Sequence, residues 1–95
     1  MNNQELIKKL KEGAVLIDVR ESYEFNEAHI KGAINVALSN FIDNPLIPKD
    51  LNKEIILYCR SGARSEDAKN YLNMIGYKNV INLGGIEYFD GEIIK

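Results

Sequence analysis

Apolar residues fall along this chain in short blocks, some of which have the pattern of buried strands. Residues 14–19 form a continuous apolar run that is interrupted only at Asp18, and residues 55–58 form a second such run. Short apolar runs without polar alternation are typical of strands that are buried on both faces of a sheet. Residues 33–37 and 79–83 show weaker versions of the pattern. The pattern therefore predicts four strands.

Between these strands, apolar residues recur at the spacing of a helix. Residues 64–75 carry apolar side chains at i, i+3, i+4 and i+7, and residues 3–12 and 21–28 show shorter amphipathic patterns. Residues 39–53 contain both prolines and favour a helical turn followed by a loop. Because strands that alternate with helices form right-handed crossovers, we expect an α/β fold with a small, mostly parallel sheet of four or five strands flanked by helices.

The glycine pair Gly84-Gly85 follows the last predicted strand, and we expect a sharp break in the chain there. The length of 95 residues and the hydrophobic content of 45% suit one small globular domain over residues 1–95. A net charge of −2 gives no reason to expect binding to nucleic acid or to an anionic membrane. No apolar run reaches the roughly 18 residues of a membrane span, and no secretory signal pattern is visible. We therefore expect a cytoplasmic monomer.

Cys59, the single cysteine, stands at the end of the apolar run 55–58 and just before a helical pattern. Open parallel sheets place their ligand sites where a strand passes through a turn into a helix. A helix start presents unpaired N–H groups, which favour anions and lower the pKa of a thiol. Cys59 is therefore a candidate nucleophile, and the alternative is a thiol that only packs in the core. One cysteine and one histidine argue against a Cys/His zinc site, so we expect no metal.

The turn after Cys59 has the composition of an anion cradle. Small residues allow successive backbone amides to point inward, and glycine permits the backbone angles of a tight turn. Two arginines add positive charge to a chain that is otherwise slightly acidic. The candidate substrate-binding residues are Arg60, Ser61, Gly62, Ala63 and Arg64.

Asp18 interrupts a buried strand pattern, and a buried carboxylate needs a partner. Arg20 lies two residues further on and would project from the same side of a continuing strand. Two interpretations remain open. The pair either supports the Cys59 loop from behind, or forms an architectural ion pair that fixes the strand end, which is the commoner role of such pairs. For His29, the only histidine, we expect a structural role.

Four ordered segments give the chain a family resemblance. They are residues 16–21 (LIDVRE), 29–35 (HIKGAIN), 58–65 (YCRSGARS) and 82–86 (NLGGI). In this order they resemble the signatures of single-domain rhodaneses, and the resemblance covers nearly the whole chain. Relatives often carry a further edge strand before the first helix, whose pattern is not visible here.

The resemblance implies a thiosulfate-type sulfurtransferase that needs no metal or organic cofactor. In that family the thiolate that matches Cys59 takes the outer sulfur of a small sulfur-containing anion such as thiosulfate, or of a persulfide. Cyanide, a thiol or a protein acceptor then collects the sulfur in a ping-pong scheme. The resemblance implies that the loop amides surround the persulfide and offset its charge.

Two alternatives remain beside sulfur transfer by an enzyme. The domain could carry or sense sulfur for a protein partner with little turnover of its own. It could also act as a cysteine-dependent phosphatase or arsenate reductase. Four residues separate Cys59 from Arg64, whereas related phosphatases of the same fold have one more. The shorter loop suits a sulfur atom better than a tetrahedral phosphate, so we expect sulfur transfer.

Overall fold

Burial explains the two central strands, because every residue of one and most residues of the other are shielded from water. The computed structural model describes residues 1–95 and contains three α-helices and six strands. The helices are α1 (Asn3–Lys11), α2 (Ser22–Glu27) and α3 (Ala63–Met74). The strands are β1 (Val15–Asp18), β2 (His29–Ile30), β3 (Ile34–Asn35), β4 (Ile55–Cys59), β5 (Val80–Gly85) and β6 (Ile93–Ile94). No helix is both long and apolar enough to cross a bilayer.

Four of the strands form one parallel sheet in the order β3-β1-β4-β5. Strand β4 lies between β1 and β5, with Ile55 opposite Val15 on one side and Val80 on the other. The expected α/β fold is therefore confirmed, with four strands in the sheet. Because the strands are parallel, the carboxyl ends of β1, β4 and β5 lie at the same edge, where ligand sites of such sheets are found.

The two faces of the sheet are covered by different elements. On one face, Ile55, Leu57 and Cys59 of β4 pack with Ala68 and Leu72 of α3. On the other face, Leu6 of α1 packs with apolar residues of the sheet and of the loops, among them Leu16, Ile56 and Tyr58. Alternation along β4 thus sends the Cys59 side chain toward α3 and the Tyr58 side chain toward α1.

Two features differ from the sequence-based expectations. The glycine pair does not break the last strand, because β5 continues to Gly85, which pairs with Cys59. A register shift beside Leu57 and Tyr58 makes Leu83 the extra residue of a bulge, with Gly84 at φ 106°. The antiparallel pair β2–β6 was not expected from the pattern, since strands of two residues are too short to show a period.

Candidate functional site

The last residue of β4 carries the candidate nucleophile. Cys59 is 1% exposed, and α3 begins four residues later at Ala63. Between them the chain turns through Gly62, which has φ 106°, a left-handed conformation that favours glycine. The order of strand, turn and helix that the sequence predicts is therefore present. The sulfur lies inside the turn and close to the amino end of α3.

Hydrogen bonds converge on this sulfur. The Gly62 N–H donates to Cys59 Sγ at 3.0 Å, and Ser65 Oγ lies 3.4 Å from the same atom. Burial alone raises the pKa of the Cys59 thiol, but the Ser65 hydroxyl and the amides of Ser65, Gly62 and Ser61 lower it by more. The net result is a pKa below the ordinary value, because hydrogen-bond donors stabilise the charged form. The geometry therefore favours a thiolate.

Ser65 and Asn82 are functional candidates that the sequence analysis missed. Asn82 Oδ1 accepts from the Gly84 N–H at 2.9 Å and lies 2.7 Å from Ser65 Oγ. Its Nδ2 donates to the Gly62 carbonyl at 3.1 Å, so one side chain joins the bulge of β5 to the turn and to α3. The single hydroxyl proton of Ser65 serves one acceptor at a time, so Asn82 Oδ1 and Cys59 Sγ compete for it. A polar residue inside a strand pattern was the signal for Asn82.

Glycine at position 85 is required by the closeness of the turn. A Cβ atom built there would overlap the carbonyl oxygen of Arg60 and would lie 2.8 Å from Ser61 Cα. Only a residue without a side chain lets the turn rest on β5 in this way. Gly84 differs, because a Cβ there would meet no heavy atom within 4 Å. The two glycines therefore have separate roles: Gly84 shapes the bulge and Gly85 supports the turn.

The two arginines of the turn are engaged in ion pairs. Arg60 Nε donates to Glu87 Oε1 at 2.8 Å at the surface. Arg64 donates through Nη1 and Nη2 to the two carboxylate oxygens of Glu24, at 2.7 and 3.0 Å. The sequence analysis expected these arginines to supply positive charge to an anion. In the structure each shares its charge with a carboxylate, and their substrate-binding role stays a prediction.

Asp18 and Arg20 form a buried ion pair. The Arg20 guanidinium donates to both oxygens of Asp18, the shortest contact being 2.7 Å, and also to the Ala28 carbonyl at 2.6 Å. The guanidinium carbon lies 5.9 Å from the centre of the Tyr58 ring. None of the hydrogen bonds of these two side chains reaches the turn after Cys59, so their geometry is that of the architectural pair. A supporting role behind the turn stays a prediction.

The side chain of His29 contacts Phe25. Its ring stacks on Phe25 with the centroids 3.8 Å apart, and its Nδ1 lies 2.9 Å from the Phe25 carbonyl oxygen. These contacts stabilise the end of α2 and the start of β2, and the structural role of His29 stays a prediction.

A cleft of about 470 Å³ opens beside the turn. Charged residues of both signs line it, namely Arg20, Glu24, Glu27, Arg60 and Glu87. Since Arg20, Arg60 and Arg64 each contact a carboxylate, the arginines at this edge of the sheet have no unshared charge.

Comparison with known proteins gives the family. The family model described as "Rhodanese-like domain" matches residues 2–92. A rhodanese from E. coli, solved with anions, superimposes with a TM-score of 0.80 and 31% identity over 87% of this chain and 99% of that one. A human single-domain sulfurtransferase superimposes with a TM-score of 0.77 and 25% identity, covering 90% of this chain and 88% of the other.

Curated relatives are longer proteins. The tRNA uridine(34) hydroxylase of Hamiltonella defensa is 37% identical over 82 residues, which are 79% of this chain and 23% of that protein. The protein of the same name from Streptococcus thermophilus is 35% identical over 81 residues, 80% of this chain and 25% of its own length. The chain thus spans about a quarter of these relatives. Because the family model covers every element from the first helix through β5, the chain belongs to the rhodanese-like domain family.

Proposed function

We propose that this domain transfers a sulfane sulfur atom through a persulfide on Cys59. The observation that carries the proposal is the cradle around Sγ, where the Gly62 amide donates at 3.0 Å and the pKa of the thiol is lowered. A thiolate is the nucleophilic form of cysteine. The hydrogen-bond donors that stabilise the thiolate would also stabilise a persulfide, in which the outer sulfur atom bears the negative charge.

Each half of the proposed reaction is a displacement at sulfur. With thiosulfate, the Cys59 thiolate attacks the outer sulfur, the S–S bond of the donor breaks, and sulfite leaves with the electron pair. The enzyme then holds Cys59–S–S⁻, and cyanide attacks its outer sulfur to give thiocyanate and the original thiolate. No proton transfer is needed in either half, which agrees with the structural contacts of His29. A thiol or a protein cysteine would serve as acceptor in the same way.

The test is the formation of thiocyanate from thiosulfate and cyanide. We expect turnover by the wild-type domain, a sulfur adduct on Cys59 by mass spectrometry after thiosulfate alone, and no turnover by Cys59→Ser. An unchanged circular dichroism spectrum and melting temperature would show that the variant is folded. Full activity in Cys59→Ser would overturn the proposal.

A low-turnover sulfur carrier is the second candidate, and one observation favours it. Both arginines of the turn are paired with glutamates, which weakens the attraction of a free dianion such as thiosulfate. A persulfide that forms on Cys59 without repeated turnover would support the carrier. Cys59-dependent hydrolysis of an aryl phosphate would instead support the phosphatase alternative. The tRNA-modifying activity named for the longer relatives is not part of this proposal, which is confined to the chemistry of Cys59.

A further inference from the structure

A carboxylate holds the guanidinium of Arg64, the last residue of the predicted anion cradle. Arg64 and Glu24 form two parallel hydrogen bonds, Nη1 to Oε1 at 2.7 Å and Nη2 to Oε2 at 3.0 Å. An arginine binds a planar or tetrahedral anion through the same pair of N–H groups, and in Arg64 both groups already bind Glu24. The Arg64–Glu24 contact therefore competes directly with any anionic substrate for the same donors.

The position of Glu24 is fixed from its own helix. Its Oε1 also accepts from the Glu21 N–H at 3.0 Å, at the beginning of α2. The Glu24 side chain is only 16% exposed, and the hydrogen bonds with Arg64 lower its pKa to about 2. The carboxylate is thus charged at neutral pH and held in place on both sides. A substrate would have to displace a preorganised partner, not a mobile surface side chain.

Arg64 also lies beside the nucleophile in the chain fold, one residue before Ser65, whose hydroxyl is 3.4 Å from Cys59 Sγ. Its pKa is raised first by the hydrogen bonds with Glu24 and further by the negative charge of a Cys59 thiolate. The field of Glu24 therefore acts on the same region in which the donor sulfur must arrive. Three carboxylates and two guanidiniums line the adjoining cleft, and each guanidinium is paired with a carboxylate. A donor that brings two further negative charges therefore finds no unpaired positive side chain there.

We propose that Glu24 is a specificity-determining residue that turns this site away from dianionic donors and toward thiol persulfides. The inference rests on the proposed sulfur transfer and names its donor class. A persulfide R–S–SH brings no sulfonate group next to the sulfur that is transferred. The Cys59 thiolate attacks its outer sulfur, the S–S bond breaks with its electron pair on RS⁻, and Cys59–S–SH forms, so atoms and charge balance. Glu24 contacts Arg64 and not the reacting atoms, so it acts through the charge of that guanidinium.

Charge selectivity at Cys59 can be measured without sulfur transfer by two alkylating agents of similar size. Iodoacetate is an anion and iodoacetamide is neutral, and both react through the same carbon. The ratio of their rate constants cancels the fraction of thiolate and reports only the penalty on negative charge. We expect Glu24→Gln to raise the iodoacetate/iodoacetamide ratio by roughly tenfold, because it frees a charged bidentate donor.

Glu27→Gln is the matched control. Glu27 is on the same helix, lines the same cleft and is exposed, but its side chain forms no ion pair or hydrogen bond. Its replacement removes the same charge, and we expect a change in the ratio of less than about twofold, because an exposed charge is screened by solvent and salt. An unchanged ratio in Glu24→Gln, or an equal rise in both variants, overturns the inference.

Sulfur transfer supplies the second arm of the test. In Glu24→Gln, kcat/KM for thiosulfate should rise relative to kcat/KM for an uncharged alkyl persulfide, again by roughly tenfold. If neither donor is used by any form while the alkylation ratio still rises, the proposed function and the donor class fail, and only the selection of charge by Glu24 stands. If sulfur transfer is active and both ratios are unchanged, the proposed function stands and the role of Glu24 fails.

Anion binding is also measured directly, so that a variant of lower stability still gives an interpretable result. The melting temperature of each variant is followed with sulfate, at ionic strength matched with sodium chloride. A ligand that binds the folded state raises this temperature. We expect the rise with sulfate to be larger in Glu24→Gln than in the wild type or in Glu27→Gln, even if its melting temperature without sulfate is lower. Equal rises in all three proteins count against the inference.

Discussion

The turn that holds Cys59 is fixed from two sides by different kinds of contact. On one side lie Ser65, Asn82, Gly84 and Gly85, which we call the floor. It acts through short hydrogen bonds and direct backbone packing. On the other side lie Glu24 and Glu87, which we call the rim and which hold the two arginines of the turn by ion pairs.

Water reaches one contact of the rim much more easily than it reaches the buried hydroxyl of the floor. The Ser65 residue in the floor is fully buried, whereas the side chains of the Arg60–Glu87 pair are 70% and 41% exposed. Hydrogen bonds in a dry setting are strong and costly to break, while exposed ion pairs are weakened by solvent. We therefore expect the floor to set whether the site works, and the rim to set which charge it accepts.

The largest effect is expected from Gly85→Ala in the floor. The new methyl group would collide with the backbone of Arg60 and Ser61, and the turn would have to move away from β5. A displacement of ~1 Å at a reacting centre costs about 100-fold in rate, so we expect at least that loss in thiocyanate formation.

Gly84→Ala is the matched control for that substitution. Its Cβ would meet nothing within 4 Å, but φ 106° strains any residue with a side chain. We expect a loss of about 1 kcal/mol in the free energy of unfolding and a much smaller loss of rate. Equal activities of the two variants would show that the packing at Gly85 is unimportant.

A smaller effect is expected from Ser65→Ala. The folded protein lowers the pKa of Cys59, so reactivity of the thiol persists below the pH at which a free cysteine ionises and disappears as pH falls through the lowered value. Loss of the Ser65 hydroxyl removes one of the groups that lower this pKa. The midpoint of the alkylation rate against pH should therefore rise, and the rate below that midpoint should fall by roughly three- to tenfold. Superimposable pH profiles of the variant and the wild type would contradict this assignment.

The smallest effect is expected from Glu87→Gln in the rim. The Arg60–Glu87 contact is exposed on both sides, and such pairs contribute little to stability because solvent weakens them. Denaturation by urea should show only a small change in the free energy of unfolding, and the change should shrink further as salt is added. A loss larger than that of Gly84→Ala would reverse the ranking of rim and floor.

The sequence was sufficient for the parts of the fold that are encoded locally. The run before Cys59 predicted β4, and the helical spacing of residues 64–75 predicted α3 to within one residue at each end. Both elements are long enough to show a period and are buried in the way that their patterns require. The position of Cys59 between them followed from the same two patterns.

The rest depended on contacts between distant parts of the chain. Glu24 and Arg64 are 40 residues apart, and Arg60 and Glu87 are 27 apart, so no local pattern links them. The sequence therefore showed two arginines but not that both are neutralised. The role of Gly85 was hidden for the same reason, because it follows from the backbone of another element and not from its own neighbours.

The bulge of β5 has a consequence for any attempt to exchange loops between proteins of this fold. One unpaired residue in β5 brings Gly85 opposite Cys59, with no free space between that glycine and the backbone of the turn. A transplanted loop with an additional residue would need a different ending of the neighbouring strand to rest upon. The two segments are 26 positions apart and depend on each other structurally, so a design that replaces one must also replace the other.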